Sequence, residues 1–248
     1  MKLRTAIMGA ALTALLSAPA SAAPITGILN LTGSVQVTAT AIDWLPLATG
    51  EGIFTTNAPG TGYFGQIFNP AVIPPYTGNE IDLSAATPFP LANFLNDFAT
   101  PVARYNDLSF TLTGFSATGT NNVCTGAEGL NQSCILFAGS PFVLTQRTTG
   151  VDVSLGVLGF FLDPTEGPEA NTASGIYTTQ LTGNLGTIGA VRNVIVLGGN
   201  AGFGAGAIQS SYSATYTATA VPVTVPEPAT LSLLGLGLVG GALRRRRR

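Results

Sequence analysis

The sequence predicts an all-β protein, an antiparallel β-sandwich of jelly-roll type followed by a single C-terminal transmembrane helix. Apolar and small polar residues alternate with a period of two along much of the chain, which is typical of half-buried strands. Gly, Pro and Asn interrupt these stretches roughly every ten residues. Because parallel strands need helical crossovers, and only residues 91–98 have room for a short helix, antiparallel pairing is expected. A closed barrel is the alternative architecture.

The clearest alternation predicts four strands, at residues 34–39, 108–113, 151–155 and 212–217. Further strands are predicted near residues 63–68, 135–144, 175–181 and 191–197. About nine or ten strands would thus form one body at residues 23–220. The Gly-rich segment 198–206 is interpreted as a flexible loop or hairpin between two late strands.

The composition excludes several classes of enzyme. The chain contains no histidine, so it cannot form a Ser-His-Asp triad, a Cys-His pair or an imidazole zinc site. Lys2 is the single lysine, which excludes Schiff-base chemistry from the remainder of the chain. Between residues 23 and 225, three arginines stand against eleven acidic side chains, a formal charge of −8. Such a surface repels phosphate backbones, so nucleic acid is not an expected partner.

Residues 1–22 have the pattern of a secretory signal peptide. Lys2 and Arg4 precede an uncharged stretch at residues 7–16, and the Ala-Ser-Ala tripeptide at residues 20–22 supplies small side chains for cleavage. Cleavage after residue 22 would start the mature chain at Ala23. The pattern therefore predicts export.

The C-terminus consists of three segments. Residues 221–228 are Pro-rich and are expected to form an extended linker. Residues 229–243 are uncharged, and as a helix of about 22 Å they would be slightly shorter than the roughly 30 Å hydrocarbon core. The positive-inside rule keeps the terminal arginines in the cytoplasm as a membrane stop and leaves the body outside. These arginines are Arg244, Arg245, Arg246, Arg247 and Arg248.

Pro226-Glu227-Pro228, followed by a Leu/Gly-rich segment and a terminal arginine block, resembles the PEP-CTERM sorting signal of Gram-negative bacteria. In that family a membrane enzyme similar to a transpeptidase, the exosortase, recognises and cleaves at the Pro-Glu-Pro motif. The resemblance implies that the exosortase is a partner, after the Sec export machinery, and that the inner membrane holds the chain transiently. The body would then be secreted or reach the cell surface. The resemblance covers about 23 residues and implies nothing about the body.

Cys124 and Cys134 are the two cysteines of the chain, and the loop between them contains glycines. In an exported protein this spacing predicts a disulfide. Closing a ring of about eleven residues stabilises a fold by roughly 2–3 kcal/mol. A catalytic cysteine would need a neighbouring base or cation to lower its pKa, so the disulfide is the favoured interpretation.

Few residues suggest catalysis or ligand binding. Two carboxylates could hydrolyse glycosides without histidine, but Asp163, Glu166 and Glu169 cluster in what is interpreted as a solvent-exposed loop. Their spacing lacks the calcium-loop pattern, so no metal or cofactor is predicted. Trp44 is a candidate for stacking against a sugar, although its apolar neighbours favour a position in the core.

These observations predict an exported, non-catalytic protein of the cell surface or the extracellular matrix, associated with exopolysaccharide or biofilm. A secreted glycan-binding module is the alternative function. A carboxylate-dependent glycoside hydrolase is the third interpretation.

Overall fold

The computed structural model describes residues 24–46, 50–56, 60–67, 76–99, 107–164 and 171–221. These residues confirm the all-β prediction. They contain two short helices, α1 (Gly62–Ile67) and α2 (Ile188–Ile195), and a 3-10 turn at Gly183–Leu185. They also form twelve strands: β1 (Gly27–Val37), β2 (Ala41–Trp44), β3 (Glu51–Thr56), β4 (Tyr76–Ile81), β5 (Leu83–Ser84), β6 (Leu91–Ala99), β7 (Ser109–Phe115), β8 (Ser133–Ile135), β9 (Phe142–Gln146), β10 (Val151–Leu162), β11 (Asn171–Leu181) and β12 (Ile208–Ala220).

Eight of the strands close into one antiparallel barrel, in the order β1, β3, β4, β6, β7, β10, β11, β12 and back to β1. The prediction of antiparallel pairing is confirmed, but the favoured sandwich is wrong and the alternative barrel is observed. The physical reason lies in the four longest strands, β1, β10, β11 and β12. They are neighbours in the sheet and each pairs on both sides, so the sheet closes on itself instead of splitting into two layers.

Aromatic side chains fill the barrel interior. On β12 every second residue is buried, from Tyr212 to Ala218, and the residues between them are Ser and Thr on the outer face. Phe110 contacts both Phe161 and Tyr216, with ring centroids 5.0 Å apart in each pair. Such tilted and edge-on contacts are the preferred geometry of aromatic pairs. The barrel therefore has a packed core.

A second core lies beside one end of the barrel. Residues 157–162 of β10 pair with β7, whereas residues 151–155 pair with β9 on the same side. The β8–β9 pair therefore leaves the barrel wall and, together with α2, encloses a separate apolar cluster. This cluster includes Leu136, Leu144, Val151, Ile188, Val191 and Ile195.

Residues 91–98 lie in strand β6, not in the predicted short helix. The spacing of the buried Phe94 and Phe98 imitates one helical turn. It arises because Asn93 and Asp97 adopt left-handed φ angles of 57° and 48° and interrupt the alternation of the strand. The register of β6 against β7 shifts in the same region, as at a β-bulge.

Two predicted strands are helices in the structure. Residues 63–68 overlap α1, and residues 191–197 overlap α2. At the start of α2, the Thr187 hydroxyl accepts a hydrogen bond from the Ala190 amide at 3.2 Å, a typical N-cap. The buried face of α2 has helical spacing and consists of Ile188, Val191, Val194 and Ile195. Segment 198–206 therefore joins a helix to β12, not two strands.

Several predictions concern residues outside the described ranges. These are the signal peptide at residues 1–22, the linker and sorting motif from residue 222 onwards, and the transmembrane helix and arginine tail at residues 229–248. Within the described ranges, no helix has the length and hydrophobicity that crossing a membrane requires. The final strand of the body, β12, ends at Ala220.

Candidate functional site

The most unusual chemical group in the described part of the chain is the carboxyl of Glu80, which lies in the barrel interior with 0% exposure. On β4 the buried residues alternate from Tyr76 through Gly78 to Glu80, so the acid takes an inward position of the strand. Tyr212 donates a hydrogen bond to Glu80 Oε2 at 2.7 Å, and Tyr177 donates to Oε1. The Tyr177 hydroxyl is also hydrogen-bonded to that of Tyr216. Three tyrosines thus surround one buried acid.

Burial changes the protonation of this cluster. Desolvation raises the pKa of Glu80 from 4.5 to about 8, because the charged form loses water that two tyrosine hydrogen bonds only partly replace. Desolvation, together with the nearby Glu80 carboxyl, also raises the pKa of Tyr177, Tyr212 and Tyr216. At neutral pH the cluster is therefore predominantly uncharged, as a buried site in an apolar core requires.

Trp44 lies against this cluster and is 3% exposed. Its ring centroid is 5.0 Å from those of Tyr177 and Tyr212, and its Nε1 donates to the Ile81 carbonyl at 3.1 Å. A side chain enclosed in this way cannot stack against a polysaccharide at the surface. Trp44 therefore lies in the core, as its apolar neighbours indicated, and not on an exposed stacking surface.

An apolar chamber of about 70 Å³ adjoins the Trp44 ring, where the barrel meets α2. Its walls come from β1, β2, β9, β10, β11, β12 and α2. We call it the apolar chamber and define it by Val35, Trp44, Leu155, Tyr177, Val191 and Tyr212. The sequence alone does not reveal this space, because its walls come from residues up to 177 positions apart.

Cys124 and Cys134 are joined by a disulfide with a Cα–Cα distance of 5.0 Å, as the sequence predicts. Both cysteines are buried in the second core. In the loop between them, Glu128 accepts hydrogen bonds from the Thr125 and Gly126 amides, which lower the pKa of its carboxyl. Among the described residues, the two sulfurs and this carboxylate form the one grouping with metal-ligand spacing. Because the sulfurs are bonded to each other, they cannot act as thiolate ligands.

The carboxylates considered for catalysis do not share a described cleft. Asp163 is 2% exposed and accepts a hydrogen bond from Tyr63, so the expectation of a solvent-exposed Asp163 is wrong. Its position directly after β10 carries the side chain back towards α1. Glu166 and Glu169 lie outside the described residues.

Sequence reasoning missed the Glu80 cluster. A signal was present, because Tyr212 and Tyr216 occupy the apolar positions of a clear alternating pattern. Glu80 occupies the equivalent position on β4, where an acid breaks the alternation. Local pattern does not show, however, that the Glu80 side chain of β4 meets Tyr177 of β11 and Tyr212 of β12 across the barrel interior.

Comparison with known proteins identifies the C-terminal segment. The PEP-CTERM protein-sorting motif matches residues 224–248. That range contains Pro226, Glu227 and Pro228 and the terminal arginines. No curated protein and no solved structure matches the chain. The chain is therefore a PEP-CTERM domain-containing protein, whose sorting signal implies export to the cell surface and an exosortase as its processing partner.

Proposed function

We propose that this protein is a non-catalytic component of the cell surface or the extracellular matrix, delivered there by its own C-terminal signal. The PEP-CTERM motif at residues 224–248 is the observation that carries this proposal. After Sec export, residues 229–243 would hold the chain in the inner membrane as the transmembrane helix that the sequence predicts, and Arg244–Arg248 would stay in the cytoplasm. Cleavage near Pro226-Glu227-Pro228 then frees the barrel.

The non-catalytic role is supported by the buried position of Glu80. Glu80, the carboxyl with the most strongly raised pKa, is sealed in the barrel core and held by Tyr177 and Tyr212. A polymeric substrate has no path to a carboxyl that is 0% exposed. A general acid must lie within hydrogen-bond reach of its substrate, so Glu80 is better explained as a structural group.

Sorting is tested by replacing Pro226, Glu227 and Pro228 together with alanine in the full-length chain, expressed in the producing bacterium. We expect the uncleaved precursor to accumulate in the inner membrane, detected by fractionation and mass spectrometry of both termini. Pro222→Ala is the matched control, because it changes a proline of the same linker outside the matched segment. Equal release of the triple variant and the wild type would refute the sorting step.

A second candidate, a glycan-binding module, is favoured by the outer face of β12. Ser213, Thr215 and Thr217 alternate with buried residues there, so their hydroxyls line one exposed surface. Thr215 Oγ1 already donates to Asn30 Oδ1 at 2.9 Å on the neighbouring strand β1. An uncharged hydroxyl surface on an acidic body suits a neutral polysaccharide better than an anionic one.

Cosedimentation with exopolysaccharide from the same bacterium separates the two candidates. If the outer face of β12 binds glycan, replacing Ser213, Thr215 and Thr217 with valine should abolish saturable binding. Thr113→Val, on the exposed face of β7, is the control. Release of reducing sugars from the polysaccharide, lost in Glu80→Gln, would instead establish an enzyme and overturn the non-catalytic proposal.

A further inference from the structure

The barrel wall opens between β11 and β12. These strands pair from Asn171↔Ala220 to Thr178↔Ser213, and the pairing ends there. Beyond that point, the end of β11 pairs only with β10, and the start of β12 pairs with β1. We call this opening the seam. Across it, the hydroxyls of Thr179 and Ser210 form a hydrogen bond of 2.7 Å.

The apolar chamber lies on the inner side of the seam. Tyr177 and Tyr212, which donate to the Glu80 carboxyl, line the chamber together with Val191 of α2. Its volume of about 70 Å³ is roughly half that of an engineered cavity of ~150 Å³ that admits benzene. The chamber therefore has room for a short aliphatic group and not for a ring or a long acyl chain.

A polar groove of about 660 Å³ lies on the outer side of the seam. We define it by Arg147, Asp152, Ser154, Gln180, Ser211 and Ser213. The groove and the chamber share four wall residues, Val153, Thr178, Thr179 and Tyr212, so they adjoin at the seam. Thr179, which is bonded to Ser210, is thus one of the side chains that lie between the polar groove and the apolar chamber.

The charges in the polar groove are already paired. Arg147 Nε lies 2.6 Å from Asp152 Oδ2, and its NH1 donates to Asn131 Oδ1 at 2.8 Å. Gln180 donates to the other oxygen of Asp152 at 3.0 Å. A charged ligand would have to break this network, whereas an uncharged hydroxyl group could add hydrogen bonds to the serines. The groove therefore favours an uncharged head group.

We propose that the seam admits a small amphiphile, whose short aliphatic end occupies the apolar chamber and whose uncharged, hydroxylated head lies in the polar groove. The aliphatic end gains burial against Val35, Leu155 and Val191, and the head keeps its hydrogen bonds to water and to serine hydroxyls. For the occupant to enter, the Thr179–Ser210 hydrogen bond must break, whereas the β11–β12 backbone pairing described here already ends at Thr178↔Ser213. Short-chain alkyl glycosides have this chemistry.

Trp44 provides a direct readout, because it is the single tryptophan of the chain and forms part of the chamber wall. The exported protein is purified from the producing cells and titrated with 3-bromopropan-1-ol, whose heavy atom quenches tryptophan fluorescence. We expect saturable quenching that n-propyl β-D-glucoside reverses by competition. Butanoate, which has the same propyl chain and a negative charge, should compete at least tenfold less well. Stronger competition by butanoate would overturn the uncharged head group.

Val191→Phe fills the chamber and should weaken binding at least tenfold. Val196→Phe is the matched control, because Val196 follows the same helix and is 39% exposed. It should leave the affinity within twofold of the wild type. Quenching that rises linearly with concentration, or equally in both variants, would overturn the proposal.

A second measurement decides the question if Val191→Phe does not fold. Intermolecular nuclear Overhauser effects from the terminal methyl of n-propyl β-D-glucoside should reach the Trp44 ring and the Val191 methyls. Effects confined to exposed apolar residues, such as Leu197 and Phe203 after α2, would place the ligand outside the chamber and refute the assignment.

Discussion

Glu80→Gln should remove a large part of the pH dependence of stability. The pKa of Glu80 is about 8 in the folded protein, against 4.5 for the free side chain, a difference of about 3.5 units. At 1.36 kcal/mol per unit, this corresponds to up to about 5 kcal/mol. The free energy of unfolding of natural domains is about 5–15 kcal/mol, so the stability lost when this one buried acid ionises is a substantial fraction of that total.

The sign follows from proton linkage. Because the folded-state pKa lies above the unfolded one, the folded protein binds the proton more tightly. The associated stability is fully present below about pH 4.5 and is lost as the pH rises through about 8. Glutamine cannot ionise, so the free energy of unfolding of Glu80→Gln should not decline in this way as the pH rises. The glutamine amide can still form hydrogen bonds with Tyr177 and Tyr212.

The assay is urea unfolding of the exported protein from pH 4.5 to 9, followed by Trp44 fluorescence. The quantity of interest is the free energy of unfolding of the wild type minus that of Glu80→Gln, which should fall by up to about 5 kcal/mol across this range. Asp152→Asn is the control. The hydrogen bond from Arg147 lowers the pKa of Asp152, so its contribution is lost only as the pH falls. Parallel profiles for the wild type and Glu80→Gln would refute the reasoning.

Three further changes test the fold by the same urea assay. Replacing Cys124 and Cys134 with serine should cost about 2–3 kcal/mol, because an eleven-residue ring is released in the unfolded chain; an unchanged midpoint would contradict this. Gly159→Ala should cost more than about 2 kcal/mol, because the new Cβ would lie 2.0 Å from the Thr111 carbonyl oxygen. Gly114→Ala, where nothing lies within 4 Å, should cost much less, and equal costs would argue against the β7–β10 approach seen here. Phe110→Ala should cost about 3–5 kcal/mol, since the ring is fully buried in the barrel core; a cost below about 1 kcal/mol would mean that the core is loosely packed.

The barrel core and the apolar chamber give the body two different properties. The aromatic rings of Phe110, Phe161 and Tyr216 contact one another and fill the barrel interior. The chamber beneath α2 is enclosed by elements that pair incompletely, because β11 and β12 separate after Thr178 and Ser213. The close aromatic packing and the proposed entry at the seam therefore lie towards opposite ends of β12.

The alternation of apolar and polar residues predicted strands well where one face of the strand is buried and the other is exposed to solvent. On β12, Tyr212 and Tyr216 alternate with exposed Ser and Thr, and the strand lies where the alternation indicates. Local pattern failed where the spacing was ambiguous. In β6 the left-handed residues Asn93 and Asp97 produced helical spacing inside a strand. In α2, β-branched residues suggested a strand, although their spacing of three and four and the Thr187 cap indicated a helix.

The sequence by itself determined the antiparallel all-β class, the acidic body, the disulfide partners and the C-terminal sorting motif. Each of these depends on composition or on residues close together in the chain. Only the tertiary structure decided between barrel and sandwich, because closure depends on pairings such as Gly27↔Ala218 between distant segments. The same long-range pairing placed Glu80 beside three tyrosines and opened the seam next to Trp44. Contacts of this kind depend on which strands face each other across the barrel, and the alternation of residues along a single strand does not specify this.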